Sequence, residues 1–328
     1  MNKAIIGALA ALALAGSAIS ATAQTTLRVT LQLPIKHHLG QNMLDFKKEV
    51  EAKSNGDLKI EIYPSAQLYK DKEVPQAVAS GAIEMGIASL TRFAGTAPAV
   101  DIFYVPFMFD SPAKVVKATS PGSAIRAGLD AAVLKTGTRI LWWQAFGSAI
   151  LLSKNPGIKL PADMKGKKVR VFGKTLGDMV KALGGAPTLM SGSKQFLAYQ
   201  RGTVDAGMTG ITAVKSRKLY EVMDNMTLTY HADIEFVVVI NEKVWQGLSD
   251  ANRKIIMTAA KRVEKELRDK MGAIEQDALK SVSDKINVID LTDAERGMWR
   301  KATKPVVDAY IKRAGAVGAK LVEEASKL

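Results

Sequence analysis

The amino-acid sequence predicts an α/β fold in two similar lobes, braced by one long helix. Residues 161–210 read as strand, helix, strand, helix and strand, the order found in parallel sheets covered by helices. Residues 81–86 match residues 202–207 type for type, and both segments stand where a helix stops and a strand starts. Residues 249–282 have helical amphipathic spacing, which predicts a helix roughly 40 Å or more in length that braces both lobes.

The long helix has a start signal and an apolar stripe. The Ser and Asp at 249–250 are both suitable N-caps. Two pairs spaced four residues apart, Glu264 with Arg268 and Glu266 with Lys270, are predicted to stabilise its exposed face. The apolar stripe consists of Ile255, Ile256, Ala259, Val263, Leu267, Met271 and Ile274.

The first lobe begins with alternating strands and helices. Leu58–Tyr63 alternates apolar and polar side chains, as a half-buried strand does, and Asn55-Gly56 ends the helix before it. The predicted elements are a strand at 27–31, a helix at 40–54, a strand at 58–64, a helix at 71–80 and a strand at 82–89.

The chain is predicted to cross between the lobes twice. Residues 139–146 form a strand with Trp143 on one face and with Trp142, Gln144 and Phe146 on the other, and Gly147-Ser148 marks the first crossing. The second crossing is expected at 230–240. Lobe I is assigned residues 24–146 with 236–274, lobe II is assigned residues 147–235 with 275–328, and the ligand cleft lies between them.

The first 23 residues have the pattern of a secretory signal peptide. Lys3 precedes an apolar run from Ala4 to about Leu14, and Ala21-Thr22-Ala23 is a suitable cleavage site. We therefore expect cleavage after Ala23 and a soluble, exported protein in the periplasm. The chain has no cysteine, so a hydrophobic core must supply its stability without disulfide bonds.

The chain is basic, with 46 Lys and Arg against 32 Asp and Glu and a formal net charge of +14. The cations are scattered among acidic residues, with no basic run of five or more and no interleaving with aromatic residues. This distribution argues against a nucleic-acid partner and is typical of a solvated surface. A net positive field still favours encounter with anions.

Arg170 is the first candidate for ligand binding. In Lys168–Phe172, alternation places Val169 and Val171 on one face and Arg170 and Phe172 on the other. Arg170 either pairs with a carboxylate on a neighbouring strand or holds a ligand carboxylate in two parallel hydrogen bonds. Its position at the end of a central strand favours the ligand, because ligands of such folds bind outside the carboxyl ends of the strands.

Further candidates stand at neighbouring strand ends. Met208 and Thr209 end the strand after the second helix, and the internal match makes Ser89 equivalent to Thr209 across a shared cleft. Trp143 and Phe146 either pack in the core or line the apolar side of a pocket near Arg170. If they do not face a cleft, the hydroxyls of Ser89 and Thr209 are ordinary strand-end groups.

Catalytic signatures are absent from the sequence. It has no G-x-S-x-G, P-loop, G-x-G-x-x-G or H-E-x-x-H motif and no cysteine. His37 and His38 are adjacent and are expected to point apart on an extended loop, and His231 stands alone. We expect hydrogen-bonded loop histidines, no metal site, no cofactor and no enzymatic activity.

Five motifs carry a resemblance to a known family. They are Tyr63–Leu68 (YPSAQL), Ala79–Met85 (ASGAIEM), Pro106–Phe109 (PFMF), Ala162–Val171 (ADMKGKKVRV) and Leu197–Asp205 (LAYQRGTVD). Together they resemble the periplasmic solute-binding subunits, of the DctP type, of tripartite ATP-independent periplasmic (TRAP) transporters. The motifs extend over nearly the whole chain after residue 23.

The resemblance implies a two-lobed periplasmic binding protein, or Venus-flytrap, fold that closes on an organic acid. It implies that Arg170 holds the substrate carboxylate, and it maps the cleft of the family approximately onto Gln32, Asp71, Ser89, Ala149 and Thr209. With the residues named above, the candidate ligand-binding residues are Arg170, Thr209, Ser89, Phe172, Trp143, Gln144, Phe146, Gln32, Met208 and Asp71.

Two departures from the family pattern bear on the ligand. Many relatives have a further arginine where this chain has Ala149, and a V-D-G-Q-E-N type segment where it has Val204–Thr209 (VDAGMT). Fewer polar groups are then expected beside the carboxylate clamp. This predicts a less polar monocarboxylate, such as an aromatic or branched 2-oxo acid, rather than a sugar acid.

The partners implied by the resemblance are an organic carboxylate and the small and large integral membrane subunits of a TRAP transporter. Two alternatives stay open at this point. The chain is also compatible with a receptor that presents its ligand to a signalling partner, and with a periplasmic enzyme that acts on an organic acid.

Overall fold

A computed structural model of the chain describes residues 24–328. The predicted signal peptide lies outside the described residues. The strands are β1 (Thr25–Leu31), β2 (Leu58–Tyr63), β3 (Met85–Ser89), β4 (Thr138–Ser153), β5 (Lys168–Val171), β6 (Ala186–Leu189), β7 (Ala206–Gly210), β8 (Asn225–Thr227), β9 (Asp233–Asn241) and β10 (Asn287–Ile289).

Helices cover both faces of these strands. The α-helices are α1 (His38–Lys53), α2 (Val74–Ala79), α3 (Pro112–Thr119), α4 (Ala124–Leu134), α5 (Lys174–Ala182), α6 (Gln195–Gln200), α7 (Ile211–Ser216), α8 (Glu242–Gly247), α9 (Asp250–Val282), α10 (Asp293–Thr303) and α11 (Pro305–Ser326). Short 3-10 turns lie at Leu90–Phe93, Pro98–Tyr104, Pro161–Met164, Gly192–Lys194 and Leu219–Glu221.

The strands join in the order β2-β1-β3-β9-β4-β7-β5-β6, and β8 pairs with both β4 and β10. In the first lobe β1 is parallel to β2 and β3, and β9 is antiparallel to β3 and β4. In the second lobe β5 is parallel to β6 and β7. The carboxyl ends of β3, β5 and β7 are where the sequence placed Ser89, Arg170 and Thr209.

Strand β4 belongs to both lobes. Its first part pairs with β9, and from Ala149 onward it pairs with β7 and β8. The predicted strand stopped at Phe146, but the chain stays extended through Gly147, which has φ +106° at an irregularity of the register. Strand β4 therefore runs from the first lobe into the second without a break. Gly147, which was expected to end the strand, forms part of a bulge within it.

The long helix has the predicted extent. Ser249 caps α9 by accepting a hydrogen bond from the backbone N–H of Asn252 at 3.1 Å. The helix packs on α1 and β4 and also on α7, so it contacts both lobes. Its buried residues are Ile256, Ala259, Ala260, Val263, Leu267, Met271, Ala278 and Val282.

Neither predicted pair within α9 makes a direct ion pair in the described chain, although the charge of Glu264 still helps to raise the pKa of Arg268. Glu264 instead binds Arg126 of α4, and Arg268 binds the buried Glu235 of β9. Glu266 pairs with Arg262, one turn earlier in the helix. Glu264 and Arg268 thus pair with residues of neighbouring elements instead of with each other. A partly buried carboxylate is stabilised more by a fixed guanidinium than by a solvated cation on the same helix.

The last helix, α11, also contacts both lobes. The Tyr310 hydroxyl donates to the carbonyl oxygen of Ala99 at 2.8 Å, in the 3-10 turn of the first lobe. Arg313 donates to Asp178 of α5 at 2.6 Å, in the second lobe. Within residues 24–328, no helix is both long and apolar enough to cross a membrane.

Candidate ligand-binding site

Most of the predicted site residues line one small space between the two lobes. Its volume is about 20 Å³. Seven of the ten predicted residues line it: Gln32, Asp71, Ser89, Phe146, Arg170, Phe172 and Thr209. Residues that were not predicted complete the lining: Gly192, Gln195, Arg217, Ile234 and Phe236.

The guanidinium of Arg170 is fixed by two backbone carbonyl groups. Its Nη1 donates to the carbonyl oxygen of Met208 at 2.5 Å, and its Nε and Nη2 donate to that of Met190 at 3.2 and 2.9 Å. Its carbon Cζ lies 5.3 Å from the ring centroid of Phe172. Three of the five N–H groups are thereby used, and one remains on each terminal nitrogen. Two such groups match the two oxygens of a carboxylate.

Arg170 forms no ion pair with a carboxylate in the part of the chain that the structure describes. The side chain is only 2% exposed. The pKa of Arg170 is lowered to about 9, chiefly by burial and also by the charges of Arg92 and Arg217, while Tyr199 and Asp71 oppose this. A neighbouring-strand carboxylate, the alternative to a ligand role, is therefore not found among the described residues.

Asp71 is paired through one of its two oxygens, and its Oδ1 is buried without a partner among the described residues. Its Oδ2 accepts a hydrogen bond from Nε of Arg92 at 2.8 Å, and both side chains are almost fully buried. The same guanidinium donates to the carbonyl oxygen of Met190 at 3.3 Å, across the two lobes. The helix predicted from Asp71 begins only at Val74, because the chain before it turns to bring this carboxylate to Arg92.

Arg217 is the main residue that the sequence analysis missed. It follows the last turn of α7, and its buried Nη2 has no hydrogen-bond partner among the described residues. Burial lowers its pKa to about 10, and Asp71 and Tyr199 oppose this. In the sequence it stands in a run of polar residues, Lys215 to Lys218, which resembles a solvated surface.

Gly192 lets Arg217 and Gln32 approach the backbone of the second lobe. A Cβ atom at Gly192 would lie 2.7 Å from Nη1 of Arg217 and 3.0 Å from Nε2 of Gln32. Oε1 of Gln32 and the hydroxyl of Ser191 are buried without partners in the described chain. This side of the space therefore has free acceptors and donors next to a cation.

Part of the lining of the space is aromatic. The rings of Phe146 and Phe236 stack with centroids 4.9 Å apart. Phe172 contacts Tyr104 edge to face at 5.7 Å. The Ser89 hydroxyl shares a hydrogen bond of 2.9 Å with the hydroxyl of Tyr104, which holds it at this wall.

His37 and His38 do not point apart as expected. Their ring centroids are 4.0 Å apart, because His37 is the N-cap of α1 and His38 is its first residue. The ring of His37 also stacks on Phe146, and its Nε2 lies 3.2 Å from the hydroxyl of Thr212 in the second lobe. Burial lowers the pKa of His37 well below its ordinary value and that of His38 to about 4.

Two predicted residues of β4 lie away from this space. The ring of Trp143 packs edge to face on Phe103, and its Nε1 donates to Asp130 of α4 at 2.8 Å. Gln144 donates to Oδ1 of Asn42 in α1 at 2.7 Å. Both side chains are fully buried within the first lobe, where helices cover the two faces of β4.

Two further residues contribute differently from the expectation. Met208 offers its carbonyl oxygen to Arg170, while its side chain belongs to the core. Ala149 is fully buried beside Gly210 of β7 and does not line the space. Ser89 and Thr209, in contrast, both line it, one from each lobe.

The profile of bacterial extracellular solute-binding protein family 7, the DctP family, matches residues 31–313. The chain belongs to this family. It is 29% identical over 285 residues to the C4-dicarboxylate-binding periplasmic protein DctP of Rhodobacter capsulatus, and the aligned region covers 84% of each chain. It is 30% identical over 256 residues to the sialic acid-binding periplasmic protein SiaP of Vibrio cholerae, and the aligned region covers 75% of this chain and 77% of that protein.

Solved structures of DctP-type proteins have the same fold. A TRAP periplasmic solute-binding protein of Desulfovibrio salexigens with bound orotic acid superposes with a TM-score of 0.86 at 25% identity. The match covers 92% of this chain and 99% of that one. The predicted family and the two-lobed α/β fold with a long helix are thus confirmed. Family 7 proteins are binding proteins of transport systems and not enzymes.

In this DctP-type protein the described residues contain no cluster of three or more His, Asp or Glu side chains placed to hold a metal ion. The groups that face the space between the lobes are guanidinium, amide, hydroxyl, aromatic and aliphatic groups and the carboxylate of Asp71, which is paired with Arg92. Such groups bind an anion by hydrogen bonding and charge, and they need no metal to do so.

Proposed function

We propose that this protein is the periplasmic solute-binding subunit of a TRAP transporter and that Arg170 holds the carboxylate of its organic-acid ligand. One observation carries the proposal: a buried guanidinium, fixed by the Met190 and Met208 carbonyl groups, has two N–H groups left and no described carboxylate partner. A buried charge without a counter-ion is costly, which favours an anionic ligand as the partner.

Ligand entry requires the lobes to separate. A space of about 20 Å³ has room for roughly one water molecule. An organic acid with several heavy atoms needs more, so the contacts that join the lobes must open. These include the bond from Arg92 to the Met190 carbonyl and the contact of His37 with Thr212. Strand β4, which continues through both lobes, and α9 are the natural hinge elements.

We propose the lobe division given by the sequence, with residues 24–146 and 236–274 in lobe I and residues 147–235 and 275–328 in lobe II. The pairing of β4 with β9 before Ala149 and with β7 after it supports the boundary near residue 147. Helix α11 packs on both lobes, so its motion during closure is shared between them.

The remaining partners follow from family membership. The relatives are named as periplasmic binding proteins, which supports export of this chain by the predicted signal peptide. After closure, the protein would deliver its acid to the small and large integral membrane subunits of the transporter. No observation in the structure favours a signalling partner over a transporter.

The ligand class predicted from the sequence was an aromatic or 2-oxo monocarboxylate. The stacked rings of Phe146 and Phe236 support an apolar or planar portion in the ligand. The premise of few polar groups does not hold, however, because Arg217, Gln195 and Gln32 also face the space. The ligands given by the names or structures of relatives include C4-dicarboxylates, sialic acid and orotic acid, and also sugar acids such as β-D-galacturonate.

The test measures the affinity of the protein from Gln24 onward for a panel of aliphatic, 2-oxo, aromatic and sugar acids by calorimetry. The protein is first unfolded and refolded to remove any retained acid. We expect Arg170→Ala to weaken binding by about 2–5 kcal/mol, or about thirty- to several-thousand-fold. Arg28→Ala is the control, because Arg28 pairs with Glu84 at 2.7 Å away from the space. Unchanged affinity in Arg170→Ala would refute the clamp.

A further inference from the structure

We infer that Gln195 is a specificity-determining residue, which donates a hydrogen bond to an uncharged oxygen next to the ligand carboxylate, and that Tyr199 positions it. The inference rests on the proposed function and assigns roles to two further residues at the same site. It begins from the side chain of Gln195 in α6, which lines the space between the lobes and is only 1% exposed.

Two neighbours decide which way the Gln195 amide is turned. Its Nε2 donates to the carbonyl oxygen of Gly192 at 3.4 Å, and its Oε1 accepts from the hydroxyl of Tyr199 at 3.1 Å. A carbonyl oxygen can only accept, so the reverse orientation would place Oε1 against another acceptor. The amide nitrogen is therefore the end beside Gly192, and the Tyr199 hydroxyl is the donor to the other end.

Tyr199 is a fixed donor within the second lobe. Its side chain is fully buried, and Gly207 of β7 makes room for it, because a Cβ atom at Gly207 would overlap the Tyr199 hydroxyl. Burial raises the pKa of Tyr199 to about 12, although the charges of Arg170 and Arg217 oppose this. The hydroxyl thus stays protonated at neutral pH and holds the Gln195 amide in one orientation.

The Gln195 amide has one N–H group more than the protein uses. Nε2 carries two N–H groups, and within residues 24–328 its only hydrogen-bond partner is the Gly192 carbonyl, at a long distance. A buried N–H group without an acceptor is costly. Since the residue lines the space, a ligand can supply the missing acceptor.

This amide stands close to the carboxylate clamp. In the sheet, Arg170 is paired with Gly207, the residue that the Tyr199 hydroxyl covers. The carbonyl groups that hold Arg170 and Gln195 also lie near each other in the chain, at Met190 and at residue 192. A donor on Gln195 is therefore next to the carboxylate that Arg170 would hold.

The chemistry of this donor favours an uncharged oxygen. The guanidinium groups of Arg170 and Arg217 offer charged donors, which a carboxylate prefers to a neutral amide. The next oxygen of an organic acid is then one on the carbon beside the carboxylate, in a 2-oxo or 2-hydroxy group. An acid that lacks this oxygen leaves the N–H group of Gln195 unpaired, so the site discriminates against it.

The experiment compares acids that differ only in this oxygen. The probes are pyruvate, lactate and propionate; 2-oxo-3-methylbutanoate, 2-hydroxy-3-methylbutanoate and 3-methylbutanoate; and phenylpyruvate, phenyllactate and 3-phenylpropionate. Affinities are measured by calorimetry for the refolded wild-type protein, Gln195→Met and Tyr199→Phe. The matched controls are Gln200→Met, at an exposed residue of α6, and Tyr220→Phe, at a residue outside the lining of the space.

We expect at least one 2-oxo or 2-hydroxy acid to bind wild type about 10- to 100-fold more tightly than its parent acid. Gln195→Met should reduce that ratio to within a few fold while it changes the affinity for the parent acid little. Tyr199→Phe should reduce the ratio about threefold or more, because the amide is then free to turn. Both controls should leave the ratio unchanged, and circular dichroism establishes that each variant is folded.

The other outcomes separate this inference from the clamp. If Gln195→Met weakens an acid and its parent equally, the amide binds the carboxylate or has only a structural role, and the inference is wrong. An unchanged ratio in Gln195→Met, or a parent acid that binds wild type as tightly as its 2-oxo and 2-hydroxy forms, also overturns it. Loss of binding in Arg170→Ala would still support the clamp in these cases. If none of the acids binds the wild-type protein, both the role of Gln195 and the proposed organic-acid function are overturned.

Discussion

The carboxylate of Asp101, in the first lobe, caps the first turn of α5 in the second lobe. Oδ2 of Asp101 accepts hydrogen bonds from the backbone N–H of Thr175 at 3.2 Å and from its hydroxyl at 2.7 Å. Its Oδ1 accepts from the hydroxyl of Thr91 at 2.5 Å. The N-cap residue of α5 is Gly173, which has no side chain for this purpose, so the helix takes its cap from the other lobe.

Removal of this cap should destabilise the structure in which the two lobes are in contact. We expect Asp101→Ala to lower the free energy of unfolding by about 1–3 kcal/mol, because the N–H and hydroxyl donors lose a buried acceptor. Urea unfolding measures the change. Asp269→Ala, which removes an exposed carboxylate on α9, should stay within about 0.5 kcal/mol of wild type. Equal effects of the two changes would contradict the capping role.

The tight approach of Gly173 to Thr91 predicts a closure variant. A Cβ atom at Gly173 would lie 2.3 Å from Oγ1 of Thr91, although the backbone there, at φ −147°, suits any residue. Gly173→Ala should therefore hold the lobes apart and weaken ligand binding about tenfold or more, which calorimetry would detect. Gly177→Ala is the control: a Cβ atom at Gly177 would lie 3.6 Å from its nearest neighbour, so this variant should keep the wild-type affinity. Full affinity in Gly173→Ala would show that closure does not require this contact.

Arg217 is half-buried, with its Nη2 fully buried and without a counter-ion, and this should cost stability in the absence of ligand. Replacement of Arg217 by Met keeps an apolar stem and removes the charge, so we expect the refolded protein without acid to gain about 1 kcal/mol or more. Thermal or urea unfolding measures this gain. The wild-type protein should recover the difference when a tightly bound acid is added. A clear loss of stability in Arg217→Met would mean that this guanidinium has an important structural role.

Asp233 predicts a pH dependence of stability near the crossing between the lobes. Burial raises its pKa well above the ordinary value, Glu235 and Glu275 raise it further, and Arg268 opposes them. The folded protein therefore binds the proton more tightly than the unfolded chain, so this group lowers stability as pH rises through the raised pKa. Asp233→Asn should accordingly be more stable than wild type at neutral and higher pH.

The gain of Asp233→Asn should shrink as pH falls through the raised pKa and disappear near the pKa of an unfolded aspartate, about 3.9, where the wild-type residue is protonated in both states. Urea unfolding of both proteins at about pH 8 and about pH 4 measures the difference. A gain that is the same at both values would rule out titration of this carboxyl as its cause.

Local patterns predicted the elements well and their ends less well. The stripe of α9 and the alternation of Lys168–Val171 follow from the periods of a helix and a strand, which neighbouring residues determine. The ends shifted where a side chain found a distant partner. Asp71 lies before the helix that was predicted to include it, where it pairs with Arg92. Gly147 forms a bulge within β4 instead of ending the strand.

By itself, the sequence determined the α/β class, the long helix, the family and the placement of Arg170 and Phe172 on one face, since all of these depend on spacing along the chain. The tertiary structure decided which cations have counter-ions. It turned Glu264 toward Arg126, placed Trp143 and Gln144 in the first lobe, and brought Arg217 to the space beside Arg170. The reason is physical: burial and charge pairing depend on residues that only the folded chain brings together.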